Sequence, residues 1–363
     1  MLKIINVVGA RPNFMKVAPI IEAMTRRERE FTPLLVHTGQ HYDADMSDAF
    51  FRDLDLPAPD IHLGVGSAPR DQQIAAVEAR FEPVVNTEKP DWVIVVGDVN
   101  STLACARVSK KLGVRVAHVE AGLRSYDPTM PEEANRVETD RIADLLFTPS
   151  ADADENLRAE GIASERVRLV GNVMIDSLQK HLPQAKASPI REKLALTDDQ
   201  YAVVTLHRPS NVDEVQSLGR IVGALEEICE RTTIVFPVHP RTRKTIAELG
   251  FSTRLLGLKN LQMIEPLGYL DFLGLYSGAR LVLTDSGGIQ EETSVLGIPC
   301  LTLRENTERP ITVSLGTNKI VGTDTATIVR EAFVALDAGL KPAVAIPFWD
   351  GHTAERIVNI LAQ

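Results

Sequence analysis

Short apolar runs alternate with helical stretches along almost the whole chain, and this alternation restricts the possible folds more than any other feature. Runs of valine, isoleucine and leucine without polar interruption are typical of strands buried on both faces, as in parallel sheets. The longer segments between them have the periodicity of helices that could cover such sheets. The sequence therefore predicts the α/β fold class, with parallel sheets between layers of helices.

The alternation falls into two series. In the first, the candidate strands are residues 4–8, 34–37, 92–96, 114–118, 144–147 and 167–170, and the candidate helices are 14–27, 71–87, 101–112, 132–142 and 151–160. In the second, the strands are 202–206, 233–238, 262–264, 281–283 and 300–303, and the helices are 215–230, 241–249, 270–278, 289–296 and 326–336. The polar segment 181–200, which contains two prolines, is interpreted as a boundary.

The length of the chain also points to two domains. Its 363 residues exceed the roughly 250–300 at which a single core stops growing. We expect two Rossmann-like domains, residues 1–180 and 181–345, facing each other across a cleft that binds ligands at the carboxyl ends of the strands. The tail, residues 346–363, is expected to pack back on the first domain.

Charge and the N-terminal residues narrow the classes of partner. A net charge of −10 argues against broad binding to nucleic acid or to an anionic membrane, because both need basic surface. The N-terminal sequence MLKIINVV has a single lysine before a short apolar run, so we expect no signal peptide and a cytoplasmic location. Three widely spaced cysteines, Cys105, Cys229 and Cys300, are interpreted as reduced core thiols.

The segment LVLTDSGGIQEE, residues 281–292, is typical of a diphosphate pocket. Its apolar run leads into a turn made of Asp285, Ser286, Gly287 and Gly288. These glycines would let a ligand reach the backbone N–H groups that begin the next helix, where the dipole favours anions. Glu292 lies roughly 9 Å further along, at about 1.5 Å per residue, and suits a sugar hydroxyl. The alternative is an ordinary N-cap at Ser286 before a surface helix, and this segment alone does not separate the two.

Two cations follow the first apolar run. Arg11 lies in the turn GARP directly after it, and Lys16 lies about one helical turn further on. Arginine can fork onto phosphate oxygens, and lysine can supply a mobile ammonium group. Because cations oppose the dipole at the start of a helix, a bound anion explains them better than solvent does.

Carboxylates follow two later runs and begin one helix. Asp98 and Glu120 come just after apolar strands, and Glu132 follows Pro131 in PEEANR. Helix capping explains Asp98 and Glu132 about as well as catalysis does, but it explains Glu120 less well because Glu120 ends a strand. We expect the three acids to converge, because like charges that lie close together raise some of their own pKa values and so provide both an acid and a base.

The second series has histidines at the ends of successive strands. His207 is followed by Arg208, and His239 by Pro240 and Arg241, which favours a diphosphate or leaving-group site. Arg309 in TERP is a candidate phosphate or ribose contact. No metal is expected, because the histidines lie far apart in sequence and match no metal-binding motif. NAD is not expected either, because Pro69 occupies the third glycine position of the fingerprint-like segment 64–69.

Taken together, the segments resemble the non-hydrolysing UDP-N-acetylglucosamine 2-epimerase family, which has the two-domain glycosyltransferase-B fold. The resemblance covers nearly the whole chain and rests on the order of GARP, GQH, GDVNST, HVEAGLRS, PEEANR, HRP, PVHP, TDSGGIQEE and TERP. It implies reversible epimerisation at C2 between UDP-N-acetylglucosamine and UDP-N-acetylmannosamine, through elimination of UDP to a bound 2-acetamidoglucal and re-addition. Departure of UDP makes the C2 proton removable, so this chemistry needs no NAD. A homodimer is also implied.

The resemblance assigns roles to individual positions. The catalytic acids, whose division into acid and base stays open, match Asp98, Glu120 and Glu132. An essential lysine matches Lys16, and the histidine beside the leaving diphosphate matches His207. Diphosphate contacts are implied for Arg11, Ser286 and Gly287. Ribose and phosphate contacts are implied for Glu292 and Arg309, and the uracil pocket is implied to be lined by Leu267 and Phe272.

The chain departs from the family pattern at two places. Bacterial relatives commonly bind a second UDP-N-acetylglucosamine as an activator near the QH motif, here Gln40 and His41. Tyr42 and Asp43 replace the more usual basic and polar residues, which argues against activation by substrate. After His207 and Arg208 the chain continues as PSNVD, where the family often has a loop containing glycine.

Three other functions are compatible with parts of this pattern. A hydrolysing relative would release free N-acetylmannosamine and UDP. A glycosyltransferase on the same scaffold would need one base and an acceptor cleft, so three carboxylates would be more than it requires. A sugar-nucleotide sensor would bind the ligand without turning it over.

Overall fold

The computed structural model describes residues 1–40, 53–54, 56–340 and 345–363, apart from the side chain of Arg11. Within these ranges the chain forms two compact units. Unit 1 comprises Met1–Lys180 together with Pro347–Gln363, and unit 2 comprises His181–Ile346. Each unit contains one parallel sheet, which confirms the predicted α/β fold class.

The described part of unit 1 has a seven-stranded parallel sheet in the order β3-β2-β1-β4-β5-β6-β7. The strands are β1 (Leu2–Val8), β2 (Phe31–His37), β3 (Ile61–His62), β4 (Trp92–Val96), β5 (Arg115–Val119), β6 (Leu145–Thr148) and β7 (Val167–Leu169). The helices are α1 (Arg11–Thr25), α2 (Arg70–Glu88), α3 (Asn100–Lys111), α4 (Pro131–Ile142), α5 (Ala151–Ala159) and α6 (Val173–Lys186), with a 3₁₀ turn at Ser164–Arg166. The strand order reverses between β1 and β4, and such a reversal is where doubly wound sheets bind their ligands.

Unit 2 repeats this arrangement with six parallel strands in the order β10-β9-β8-β11-β12-β13 in its described residues. The strands are β8 (Tyr201–Thr205), β9 (Thr233–Pro237), β10 (Leu261–Ile264), β11 (Leu281–Thr284), β12 (Cys300–Thr302) and β13 (Asn318–Ile320). The helices are α7 (Ile190–Lys193), α8 (Pro209–Val212), α9 (Val215–Ile228), α10 (Pro240–Glu248), α11 (Ser252–Leu256), α12 (Tyr269–Tyr276), α13 (Gly287–Leu296), α14 (Ile311–Ser314) and α15 (Thr325–Ala338). Here the order reverses between β8 and β11.

Burial of the central strands explains why these segments form strands. All five residues of β4, WVIVV, are buried, because helices cover both faces of the sheet. In unit 2 a core of leucine, isoleucine and valine side chains from β8, β9 and β11 packs against α9 and α15. Burial of this apolar area is the main favourable contribution to folding, at about 25 cal/mol per Å².

Every strand and helix predicted from the sequence is present, and most of them have shifted ends. The sequence analysis missed β3, β13, α6 and the short helices α7, α8, α11 and α14. The two strands are short and lie at the edges of their sheets, where an apolar run is not required. Helix α6 contains Pro183 and extends to Lys186, into the segment that was interpreted as a boundary.

The C-terminal tail belongs to unit 1 and ends in α16 (Thr353–Leu361). The Trp349 indole donates a hydrogen bond to the Pro149 carbonyl oxygen at 2.8 Å. The Asp176 carboxylate on α6 accepts hydrogen bonds from the backbone N–H groups of Thr353 (3.1 Å) and Ala354 (2.7 Å). Asp176 therefore caps the first turn of α16 from a position far away in sequence.

Candidate active site

In unit 1 the ends of β1, β4 and β5 lie side by side, because these strands are neighbours in the sheet. Asn13 ties the first two together: its Oδ1 accepts the N–H groups of Gly9 and Ala10, both at 3.0 Å, and its Nδ2 donates to the Val96 carbonyl at 3.1 Å. The Gly97 N–H joins the third by donating to the Val119 carbonyl at 3.0 Å, so the residues just after β1, β4 and β5 belong to one hydrogen-bonded edge.

Lys16 and Glu120 form a buried ion pair. Lys16 is 5% exposed and Glu120 is 5% exposed, so neither charge is left to solvent. A Cβ atom at Gly97 would lie 2.9 Å from the lysine Nζ, so the glycine makes room for this ammonium group. Glu120 has φ +69°, a backbone conformation that is uncommon for a residue with a side chain. Such strain persists where surrounding structure enforces it, frequently at functional sites.

Asp98 is held by a guanidinium group from α4. Arg136 donates to Asp98 Oδ2 from Nε at 3.0 Å and from Nη2 at 2.6 Å, and it donates to Glu133 Oε2 from Nη1 at 2.6 Å. Part of the Asp98 side chain, 22%, remains exposed and can meet a substrate. Glu132 lies in the first turn of the same helix, directly after Pro131. Its side chain is half-buried and has no hydrogen-bond or ion-pair partner among the described residues.

Glu133, next to the predicted Glu132, was not singled out by the sequence analysis. Its carboxylate accepts hydrogen bonds from the Ser125 N–H (3.0 Å) and hydroxyl (2.9 Å) and from the Tyr126 N–H (3.0 Å). Glu133 thus fixes the loop after β5 to α4. The spacing of Glu133 and Arg136, three residues apart on one helix face, was the signal that could have identified this pair.

A second buried group of charges lies beneath these turns. His118 on β5 and Asp140 on α4 are both fully buried, with Nδ1 of the ring 2.7 Å from Oδ1 of the carboxylate. Arg124 Nη2 lies 2.8 Å from the other oxygen of Asp140. Burial alone would raise the pKa of Asp140, but His118 and Arg124 lower it below its usual value. Asp140 is therefore ionised, and the sequence analysis did not identify this cluster.

In unit 2 the residue that organises the strand ends is Asp285, which is fully buried after β11. Its carboxylate accepts the N–H groups of His207 (3.0 Å) and Arg208 (2.9 Å) and the Asn211 amide (3.1 Å). The His207 Nδ1 lies 2.7 Å from Asp285 Oδ1, while 54% of the histidine side chain is exposed. Burial raises the pKa of Asp285, but His207 and the backbone donors bring it below its usual value. The bond to Nδ1 orients the ring and leaves Nε2 for a ligand.

The start of α13 has the predicted turn, but its first glycine, Gly287, makes room for an arginine side chain. Ser286 is the N-cap residue, yet its hydroxyl makes no capping hydrogen bond. A Cβ atom at Gly287 would lie 2.3 Å from Nη1 of Arg309, so the glycine gives room to this guanidinium group. Arg309 is also 2.6 Å from Glu308 and 2.7 Å from Glu291. Two carboxylates thus fix Arg309 beside the N-terminus of α13, where the unpaired N–H groups and the helix dipole favour an anion.

Glu292, two turns into α13, is buried and its Oε2 accepts a hydrogen bond from the Tyr276 hydroxyl at 2.7 Å. Burial raises its pKa to about 7, against the lowering effect of Tyr276. The Phe272 ring lies edge-on to Tyr276, with centroids 5.1 Å apart. The predicted ribose contact and one predicted uracil contact are therefore linked through a tyrosine that the sequence analysis did not name.

The remaining predicted positions are placed as follows. His239 is exposed at the N-cap of α10, where its Nδ1 accepts the Arg241 N–H at 3.3 Å. Leu267 is half-buried before α12, and Gly288 is half-buried in α13. The Gln40 side chain accepts the Ser101 N–H at 2.9 Å within unit 1, while His41 and the Arg11 side chain lie outside what the structure describes.

Comparison with known proteins shows the family. A family model described as UDP-N-acetylglucosamine 2-epimerase matches residues 23–362. The chain belongs to this family. One relative, the UDP-N-acetylglucosamine 2-epimerase of Methanocaldococcus jannaschii, is 42% identical over 99% of both chains. A crystal structure of the M. jannaschii enzyme in complex with UDP-GlcNAc and UDP superimposes with a TM-score of 0.92, at 42% identity and over 99% of each chain.

A relative with a different name is almost as similar. The UDP-2,3-diacetamido-2,3-dideoxy-D-glucuronate 2-epimerase of Pseudomonas aeruginosa is 39% identical over the full length of both chains. Both relatives are named as 2-epimerases of UDP-linked amino sugars. Overall identity therefore shows the family but differs too little to separate the two sugars.

Two further features of the described residues concern metal binding and membrane crossing. Nowhere in these ranges do three or more histidine, cysteine, aspartate or glutamate side chains gather as ligands for a metal ion. None of the helices within them combines the length and apolar character needed to cross a bilayer.

Proposed function

We propose that this protein interconverts UDP-N-acetylglucosamine and UDP-N-acetylmannosamine by inverting C2 of the sugar. The observation that carries the proposal is the full-length membership of the 2-epimerase family. The buried ion pair of Lys16 and Glu120 and the clamped carboxylate of Asp98 give unit 1 the acid and base groups that this inversion needs. No redox step is required when the sugar is activated by departure of UDP.

Proton transfer at C2 is assigned to the acids of unit 1. UDP leaves C1, a carboxylate removes the C2 proton, and the 2-acetamidoglucal and UDP stay bound. A proton then returns to the opposite face of C2 as UDP adds back to C1. Asp98 and Glu120 are the principal candidates because each follows a strand end beside a cation. Glu132 is the third, since it lies one turn from Arg136 and has no partner among the described residues.

Stabilisation of the departing diphosphate is assigned to unit 2. His207, oriented through Nδ1 by Asp285, would offer Nε2 to the β-phosphate. The N–H groups at Ser286, Gly287 and Gly288 and the guanidinium of Arg309 would meet the same charge. Arg11 and His239 are proposed as further phosphate contacts. Glu292 is proposed to accept a ribose hydroxyl, with Leu267 and Phe272 beside the uracil.

A proton spectrum followed over time in heavy water tests the proposal. The C2 hydrogen of UDP-N-acetylglucosamine should exchange for deuterium as the mannosamine isomer accumulates to an equilibrium mixture. Free sugar and UDP growing in step would instead identify a hydrolase. Binding without exchange would identify a sensor, and consumption only in the presence of an acceptor would identify a glycosyltransferase.

A second substrate has a specific observation in its favour, namely the 39% identity to the diacetamido-glucuronate epimerase. The two substrates differ in a carboxylate at C6 and a nitrogen at C3, so they require different charges in the side chains that surround the sugar. In the described part of unit 1, Lys16, Arg124 and Arg136 are each already paired with carboxylates, which favours the uncharged sugar. Turnover measured on both compounds under one condition decides between them, with kcat/KM as the criterion.

The remaining assignments are predictions of the family resemblance and the sequence. We propose that the enzyme works without NAD or a metal ion and that it forms a homodimer in the cytoplasm. We propose further that residues 1–180 with the tail carry the catalytic acids and that residues 181–345 bind UDP. Activation by a second UDP-N-acetylglucosamine near Gln40 is not expected. A hyperbolic rate curve, with full turnover of the mannosamine isomer alone, would agree with this.

A further inference from the structure

The His118 ring lies between two hydrogen-bond acceptors. Its Nε2 is 2.7 Å from the carbonyl oxygen of Gly97, and its Nδ1 is 2.7 Å from Oδ1 of Asp140. A carbonyl oxygen can only accept, so Nε2 must carry a hydrogen. Asp140, which accepts the Gly122 N–H at 3.1 Å and a guanidinium N–H of Arg124 at its other oxygen, is ionised. An ionised carboxylate can only accept, so Nδ1 must carry a hydrogen as well. Both ring nitrogens therefore carry hydrogens, and His118 is an imidazolium ion.

The charges around this ion balance. Asp140 lies on α4, Arg124 lies in the loop after β5, and Arg124 also donates to Glu160 at the end of α5, at 2.7 and 2.9 Å. Two cations and two anions thus form one neutral cluster, which is the condition under which buried charges are tolerated. The imidazolium of His118 is matched by the carboxylate of Asp140, and the guanidinium of Arg124 by Glu160.

This cluster is connected to both turns that carry candidate catalytic acids. Gly97, whose carbonyl accepts from His118, has φ +65° and directly precedes Asp98. Gly122, whose N–H donates to Asp140, has φ +82° and lies two residues after Glu120, which itself has φ +69°. Left-handed backbone at a residue with a side chain costs free energy and requires outside support. One ring with its carboxylate supplies hydrogen bonds to both turns, and the turn of Glu120 is the strained one.

We propose that His118 is a positioning residue that, by donating from both ring nitrogens, fixes the turns of Asp98 and Glu120 for proton transfer at C2. The proposal rests on the proposed function for the roles of these two acids. His118 itself makes no contact with substrate in this proposal, because the side chain is fully buried. Its effect should therefore fall on the chemical step and leave nucleotide binding unchanged.

Kinetics of His118→Gln test the positioning role. Glutamine can still donate to the Gly97 carbonyl, but it carries no charge for Asp140. We expect kcat to fall roughly 10- to 100-fold, as for a displacement of catalytic groups by about 1 Å, with the dissociation constant for UDP unchanged. His352→Gln, at the exposed histidine that precedes α16 as its N-cap residue, is the matched control and should keep wild-type kcat. Wild-type kcat in His118→Gln, or a loss of kcat equalled by loss of UDP affinity, would overturn the proposal.

The protonation state can be tested without turnover. In ¹⁵N-histidine-labelled enzyme at neutral pH, His118 should show two ring N–H correlations. His37 serves as the internal contrast, because burial lowers its pKa to about 4 and it should remain neutral. Asp140→Asn, which removes the balancing charge, should reduce the two correlations to one and provides a second variant if His118→Gln does not fold. A single ring N–H on wild-type His118 at neutral pH would overturn the proposal.

The two sets of measurements separate failure of this inference from failure of the proposed function. If the wild-type enzyme does not exchange the C2 hydrogen of UDP-N-acetylglucosamine, the proposed function fails, while the spectrum still decides whether His118 is an imidazolium. If the wild type exchanges and His118→Gln does so equally fast, the positioning role alone fails.

Discussion

Removal of the Tyr276 hydroxyl should change how nucleotide binding depends on pH. In the structure this hydroxyl donates a 2.7 Å hydrogen bond to Glu292, whose side chain is buried in α13. Burial raises the pKa of Glu292 to about 7, and the tyrosine acts against that rise. Tyr276→Phe keeps the ring that packs on Phe272 but deletes the donor. The variant therefore isolates one hydrogen bond to a carboxylate.

The size of the effect follows from the burial of the pair. A hydrogen bond to a charged group contributes about 1.5–3 kcal/mol, and 1.36 kcal/mol corresponds to a tenfold change in the ionisation constant. The pH midpoint for binding should therefore rise by roughly one to two pH units in Tyr276→Phe. At pH 7.5, where a pKa of about 7 leaves Glu292 mostly ionised, a rise of one to two units should weaken binding by the variant roughly three- to 25-fold.

Calorimetric titration between pH 5.5 and 8.5 provides the assay. UDP-N-acetylglucosamine is a better ligand than UDP here, because a terminal phosphate itself titrates near pH 6. Affinity should rise with pH in the wild type, rise at higher pH in Tyr276→Phe, and stay flat in Glu292→Gln. If Tyr276→Phe shows the midpoint of the wild type, the tyrosine does not set the ionisation of Glu292 and the reasoning is wrong.

Three further predictions concern other parts of the molecule. Asp98→Asn should lower turnover by about 10²-fold or more while UDP affinity stays nearly intact; unchanged turnover would remove Asp98 from the mechanism. Asp176→Ala should lower the free energy of unfolding by about 1–2 kcal/mol in urea titrations, because the N–H groups of α16 lose their cap, and an unchanged midpoint would contradict that role. Gly287→Ala should weaken UDP binding at least tenfold, because its Cβ would lie 2.3 Å from Arg309; wild-type affinity would mean that Arg309 moves without cost.

The stability of the fold carries a pH dependence from the same glutamate. Folding raises the pKa of Glu292 from 4.5 to about 7, so the unfolded chain loses this proton first as pH rises. The destabilisation of the folded state by this buried carboxylate is absent below about pH 4.5. It grows to about 3 kcal/mol as pH passes through 7. Glu292→Gln should remove this part of the pH dependence.

The fold class could be predicted from the sequence because the strongest signals in the sequence are local. Uninterrupted runs such as WVIVV specify buried strands wherever they occur, so the order of strands and helices could be predicted from the chain alone. β3 and β13 were missed because edge strands of two or three residues need no apolar run. Pro183 lies inside α6, so the segment 181–200 begins within a helix, although the two units divide at its first residue.

The candidate site was only partly predictable, because its supports are contacts between residues far apart in sequence. Asp98, Glu120 and Asp285 could each be recognised at a strand end. Nothing local indicates that Asp285 orients His207, which lies 78 residues away, or that Arg136 holds Asp98 across 38 residues. These partners are defined by which strands are neighbours in the sheet, and that information exists only once the fold is formed.

The left-handed backbone of Glu120 has a consequence for anyone who improves this protein by directed evolution. A screen that rewards heat resistance alone would favour glycine at this position together with an apolar residue in place of Lys16, because that exchange relieves the backbone and removes two dehydrated charges. The selected variants would be more stable but catalytically inactive. Libraries for this scaffold should therefore hold both codons constant.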